Sequence, residues 1–167
     1  MRMFPLLVAV LVGCVPPPFP EDRLPAYEER PVEATFSAGF GAVWEAAVQV
    51  VSEAYPVARV DRDSGLVLTE WVTEPSDTIY TSFAGTRIPE KVRFQLRLEV
   101  RSAEGGVEVR VTSHEQVEKD VVSANLEFTG SVVQWLDVPS STRRERRIVQ
   151  EMLDLLERRA QAGGTEG

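Results

Sequence analysis

The stretch from Val92 to Val111 constrains the fold of this chain more than any other. Val92, Phe94, Leu96, Leu98 and Val100 alternate with Arg93, Gln95, Arg97, Glu99 and Arg101. Successive side chains of a strand point to opposite faces, so strict alternation means one buried face and one wet face. Glu104-Gly105 turns the chain, and Val107, Val109 and Val111 then alternate with Glu108, Arg110 and Thr112. A slip of one residue would turn every one of these valines outward, so the pattern itself specifies the register. Pairing Ala103 with Gly106 sets Arg101 opposite Glu108 and Glu99 opposite Arg110, and opposite charges across a pair favour that register. The hairpin therefore presents one apolar face that other elements must cover.

Two segments carry the stripes to cover it. Phe40, Val43, Trp44, Ala47, Val48 and Val51 recur at helical spacing, with Ser37 expected as N-cap and Tyr55-Pro56 as the stop. Ile148, Val149, Met152, Leu155 and Leu156 form the apolar face of a final helix, from about Thr142 to Ala160. Thr142 and Glu145 have capping-box spacing, and Gly163-Gly164 mark its end. Between the helices, Val57–Asp61 and Leu66–Thr73 read as strands joined by the turn Arg62-Asp63-Ser64-Gly65, where glycine allows positive φ. Glu74–Glu90, with Pro75, Gly85 and Pro89, reads as a long loop. After a second loop from Gln116, Val132–Val138 is expected as a fifth strand. The expected fold is α+β: an antiparallel sheet of four to five strands with an N-terminal and a C-terminal helix on one face.

The domain so defined covers residues 35–160, opens with the first helix, and is followed by a disordered tail over 161–167. Upstream, residues 14–34 hold Pro16, Pro17, Pro18, Pro20, Pro25 and Pro31 among charged residues, a composition that favours an extended tether over a core. Over Val15–Pro31, at about 3.1 Å per residue, such a tether could reach up to roughly 50 Å. At the very start, Arg2 precedes an apolar run from Phe4 to Val12. A helix of that run would span roughly 14 Å, about half a bilayer core, so the order positive, apolar, small reads as a secretory signal over residues 1–13.

Leu11-Val12-Gly13-Cys14 resembles the lipobox of bacterial lipoproteins. The resemblance implies acylation of the Cys14 sulfur, cleavage before it, and acylation of the new amine, a membrane attachment through lipid. Cys14 is the only cysteine, so no disulfide framework is possible. Val15 stands where such lipoproteins carry an aspartate when held at the inner membrane. That implies the periplasmic face of the outer membrane, or the exterior of the plasma membrane where there is only one.

Phe40-Gly-Ala-Val-Trp-Glu, followed by Val60-Asp-Arg-Asp-Ser-Gly-Leu-Val-Leu-Thr-Glu-Trp71, resembles the pattern of BamC-type domains. These are helix-grip modules of a lipoprotein in the outer-membrane β-barrel assembly machinery and of lipoproteins related to it. The resemblance is best over Phe36–Trp71 and extends to the last helix as topology. It implies a non-enzymatic structural or accessory role among protein partners of the cell envelope, in one domain rather than two.

Little in the chain points to catalysis. His114 is the only histidine, with no second histidine and no nearby cysteine to complete a metal site, and it reads as a surface residue. No nucleophile elbow, phosphate loop or H-E-x-x-H helix occurs, which leaves a hydrolase built around His114 as the weakest reading. Asp61 and Asp63 flank a turn and are expected to cap backbone rather than bind calcium. No cofactor is expected. The net charge of −8, which becomes −9 once Arg2 leaves with the signal, argues against nucleic acid, whose phosphates demand a positive surface.

Trp44, Trp71 and Trp135 are expected either to fill the space between helices and sheet or to line a groove there, where aromatics would take a lipid, a small apolar ligand or a partner peptide. Arg143, Arg144, Arg146 and Arg147 crowd the start of the final helix, where the dipole disfavours cations. They read as a solvated face paired through Arg147–Glu151 and Asp154–Arg158, or as a contact for lipid phosphates or an acidic partner, with Arg143, Arg144 and Arg147 as the contacts.

Overall fold

The computed structural model describes residues 27–125 and 128–163. It is α+β, with two helices and one antiparallel sheet. In chain order the elements are β1 (Val32–Phe36), α1 (Phe40–Ala54), β2 (Val57–Asp61), β3 (Leu66–Thr69), β4 (Val72–Phe83), β5 (Thr86–Ala103), β6 (Gly106–Asn125), β7 (Phe128–Val138) and α2 (Arg143–Gly163). The sheet has seven strands rather than four to five.

The β5–β6 hairpin is its spine, in the register expected from the alternation: Ala103 faces Gly106, Arg101 faces Glu108, and Glu99 faces Arg110. The ion pairs that form are different ones. Glu99 takes Arg97 and Arg101 from its own strand, while Arg110 turns to Glu29 and Glu33. Each spine strand shares its outer edge between two partners. β3 pairs residues 97–99 of β5 and β4 pairs residues 86–94; β1 pairs residues 107–111 of β6 and β7 pairs residues 115–125. The sheet is therefore β1-β6-β5-β3-β2 at one end and β4-β5-β6-β7 at the other.

The helices cover the first of these ends. Val43, Trp44, Ala47, Val50 and Val51 of α1, with Ile148 and Met152 of α2, pack on Phe94, Leu96, Leu98, Val107, Val109 and Val111 in one continuous core. At roughly 25 cal/mol per Å² of apolar surface, burial of this stripe is the main force holding both helices to the sheet. Gly65 completes the β2–β3 turn at φ +66° and lies against the spine: a Cβ there would sit 2.1 Å from the Val100 carbonyl oxygen, whose residue's N–H donates to the Gly65 carbonyl at 2.8 Å.

Several boundaries differ from the sequence reading. The domain begins with a strand, not a helix: β1 straddles the boundary drawn between residues 34 and 35 and joins the sheet from Val32. Five residues behind Pro31 gave too short an alternation to stand out. The N-cap position of α1 is Gly39, not Ser37, and it makes no side-chain cap. Leu66–Thr73 is split, with β3 ending at Thr69 and β4 beginning at Val72. The loop read over Glu74–Glu90 is the β4–β5 hairpin, with a register shift between Pro75 and Tyr80, where proline cannot donate to a ladder. The loop after Gln116 is the far half of the β6–β7 hairpin. Both hairpins run beyond the helices, so neither of their faces needs the apolar alternation by which a strand is recognised. The capping box at α2 does not form. Thr142 has φ +60° and accepts from the Arg146 guanidinium, while the Glu145 carboxylate is buried with no hydrogen-bond partner among the described residues. α2 also continues to Gly163, into the segment assigned to the tail. The signal, Cys14, the tether up to residue 26 and the end of the tail from 164 lie outside the described residues.

Candidate functional site

The space between helices and sheet is filled. Trp44 is 5% exposed and stacks on Phe40 with ring centroids 6.3 Å apart and an interplanar angle of 8°. Phe94, Leu96 and Leu98 beneath it are fully buried. Of the three tryptophans, only Trp44 lies in the grip; Trp71 and Trp135 are on the opposite face of the sheet, which the helices leave open. The reason is register. Val72 pairs with Phe94 and Leu136 with Val117, all on the core side, so their neighbours Trp71 and Trp135 must point away.

On that open face they build a ladder with the polar side of the spine. The Arg93 guanidinium lies between the two indoles, 4.8 Å from the ring centre of Trp71 and 4.5 Å from that of Trp135. Arg93 Nε donates to Gln116 Oε1 at 2.7 Å, and Gln116 donates to Asp137 Oδ1 at 2.8 Å. His114 Nε2 lies 2.7 Å from the same Asp137 oxygen, and its ring meets Trp71 edge-on at 5.1 Å and Tyr27 at 5.5 Å. The hydrogen bonds from Gln116 and His114 hold the Asp137 carboxyl below the usual range, so it stays an anion. A cleft of about 300 Å³ opens beside His114, lined by Tyr27, Leu68, Gln95, Arg97 and Thr112. Trp71 is 38% exposed, and its surroundings are charged and hydrogen-bonding rather than apolar. Such a face combines aromatic area with fixed polar groups, the mixture found where proteins hold other proteins. His114, read from sequence as a surface residue, is a member of this ladder.

The arginine cluster of α2 does not form one solvated face. Arg143 reaches out to Asp77 at 2.6 Å. Arg144 turns inward, donates to Glu115 at 2.7 Å and to Glu74, and lies 4.0 Å from the ring centre of Phe94. Glu115 also accepts from Ser140 at 2.9 Å and Ser113 at 3.3 Å. Burial pushes the Glu115 carboxyl above the usual range against the pull of Arg144 and Ser140, and nearby Glu145 pushes the same way. Burial alone would lower Arg144, but its hydrogen bond to Glu74 and the charges of Glu115 and Glu74 outweigh this and hold it above the usual value. Arg143, Arg144 and Arg147 share a surface cleft of about 350 Å³ with Glu74 and Asp77. Those acids neutralise the first two guanidinium groups, so the cleft is a mixed ion-pair site that ties α2 to β4.

The Arg144 group was readable in outline. Val111, Ser113, Glu115 and Val117 continue the core-facing phase of β6, and Arg144 stands one and two turns from Ile148 and Met152. Asp61, as expected, caps the β2–β3 turn: it accepts the Ser64 N–H at 3.2 Å, and that bond, with one from Arg59, keeps its carboxyl below the usual range. Among the described residues no three His, Cys, Asp or Glu side chains gather as a metal site would require, and no helix is long and apolar enough to cross a membrane. No protein-family model matches the chain, and no curated protein matches it.

Proposed function

We propose that this chain is a lipid-anchored accessory module of the cell envelope, attached through Cys14 and acting by holding a protein partner rather than by catalysis. The observation that carries the reading is the Trp71–Arg93–Trp135 ladder on the sheet face opposite α1 and α2. Trp and Arg are among the residues that dominate the energetics of protein interfaces, and here Arg93 and Trp135 are held by strands of the sheet with Trp71 immediately before β4. The packed core between the helices and the spine supports this over the rival reading of a lipid or small apolar ligand held there, and the cleft between α2 and β4 is lined by ion pairs rather than by the apolar groups such ligands need. The likeness to BamC-type helix-grip domains points the same way, towards an envelope assembly.

The test is co-purification from detergent-solubilised membranes. Trp71→Ala should reduce the recovered partner by tenfold or more, since a hot-spot truncation costs about 2 kcal/mol or more. Its own unfolding midpoint should barely move, because Trp71 lies outside the core. Undiminished recovery from both Trp71→Ala and Trp135→Ala would remove the ladder from the interface.

Cys14→Ser should leave a folded protein that no longer fractionates with membranes. The core begins at β1, well beyond residue 14, so thermal unfolding should be unchanged. Continued recovery of Cys14→Ser with the membrane fraction after a salt wash would sink the anchor.

A further inference from the structure

The two hairpins that run past the helices leave the sheet at the same end. The spine pairing stops at Val92↔Val117; beyond it β4–β5 and β6–β7 continue as separate arms, joined at their base by the ion pairs Lys91–Glu118 and Lys119–Glu90. At ~3.4 Å per residue, β5 extends roughly 20 Å past Val92 to Thr86, and β6 roughly 27 Å past Val117 to Asn125. The N-terminal segment leaves the domain at this end too. β1 is antiparallel to β6, so reading back from Val32, which pairs with Val111, leads towards the arms, and Tyr27 is already at His114.

Past the ion pairs at their base, the arms carry little charge. Although 26 of the chain's 167 residues are acidic, none lies between Asp77 and Glu90, where Arg87 is the one charge, and Glu127 is the one charge between Asp120 and Asp137. The described arm residues also expose apolar groups: Phe83 at the tip of β4–β5 is 73% exposed, with Ile88, Tyr80, Val132 and Val133 exposed behind it. Arg87 lies over the Tyr80 ring at 4.4 Å, pairing an aromatic with a cation as at a bilayer interface.

We propose that the arms rest on the lipid bilayer, the β4–β5 tip inserting Phe83 at the headgroup level while the ladder face stands clear. This rests on the anchored reading above and extends it, because the anchor then bears on the same end as the arms. The chain from Cys14 to Tyr27 spans at most about 45 Å, and the arms take up much of that distance. The low charge removes the desolvation cost that would keep an acidic surface away from lipid. The acyl chains on Cys14 hold the protein at the membrane but leave it free to rotate on its tether, and a second apolar contact at the arms sets its orientation.

The test uses the full mature chain with Cys14→Ser, tethered through an N-terminal histidine tag to phosphatidylcholine vesicles doped with nickel-chelating lipid. An environment-sensitive dye is placed at Ala84→Cys on the arm tip or at Glu104→Cys in the β5–β6 turn, at the opposite end of the spine. The tip dye should shift to the blue and be quenched by doxyl-labelled lipid, and the turn dye should do neither. Phe83→Glu, which touches no core residue, should cut the quenched fraction about tenfold. A tip dye that stays in water on the tethered chain overturns the proposal. So does a tip dye shielded to the same degree without vesicles, which would make the arms a protein–protein contact. Mass spectrometry of Cys14 in the native protein decides the anchor separately, so either idea can fail without the other.

Discussion

Replacing Trp44 with alanine should cost about 3–5 kcal/mol, a large share of the roughly 5–15 kcal/mol that holds a domain of this size together. The indole sits at the centre of the α1 stripe, buried between Phe40 and the sheet core of Phe94, Leu96 and Leu98. Its removal forfeits the transfer free energy of a large aromatic group and leaves a void that rigid β5 and β6 cannot collapse to fill. Thermal unfolding should show a midpoint lower by roughly 10 °C or more. Trp44→Phe should recover part of the loss, because a smaller ring fills part of the same space. A shift of only a degree or two for Trp44→Ala would mean that the side chain already borders open space. The grip would then be a ligand site after all, and the preference for a protein-holding module would fall with it.

Arg144→Ala should be equally damaging, for a different reason. The guanidinium is the counter-charge for buried Glu115 and ties α2 to β4 through Glu74. Removing one partner of a buried ion pair strands the other in a poor dielectric and typically costs about 3–5 kcal/mol. Glu115 would then also lose the cation whose pull offsets the push of nearby Glu145. The loss should depend on pH, and the direction follows from the raised Glu115 pKa. A carboxyl raised on folding favours the protonated native state, so its contribution is intact below the unfolded pKa and is lost as pH rises through the folded one. Without Arg144 that pKa should rise further. Chemical denaturation should therefore show Arg144→Ala most destabilised at neutral pH, with part of the deficit recovered as pH falls towards the carboxylate range. Glu115→Gln in the same background should restore stability at neutral pH, since it removes the stranded charge and keeps an acceptor for Ser140. A deficit below about 1 kcal/mol that ignores pH would mean that water already solvates the pair.

What the sequence determined by itself is the part of the molecule where one face is buried and the other wet. Alternation from Val92 to Val111 was enough to give the spine, its turn and its register, because a one-residue slip would have turned every core valine outward. Periodicity likewise placed both helices and their buried faces, and Tyr55-Pro56 stopped α1 where the structure does, with Tyr55 in extended geometry. Where no such asymmetry exists, the residues are silent. Val132–Val138 is legible as the near half of β7, but β4 beyond Thr73 and the far half of the β6–β7 hairpin project past the helices, so Ser, Thr and Gly there serve as well as valine, and strand looks like loop. β1 is too short to show a period, and only its pairing with β6 makes it part of the domain.

The site belonged almost wholly to tertiary structure. Three tryptophans look alike in a sequence; the pairing of Val72 with Phe94 and of Leu136 with Val117 is what sends two of them to the open face. Arg93 looks like any solvated strand residue until β4 and β7 bring an indole to each side of it. Arg144 was grouped with its neighbours as surface charge, although its phase with Ile148 and Met152 pointed inward. Burial of an arginine requires a partner already waiting inside, and Glu115, 29 residues before Arg144 in sequence, reaches it only because β6 and α2 pack across the core. Local patterns specify which face of each element is buried; which elements meet there, and so which charges find each other, is decided when the chain closes.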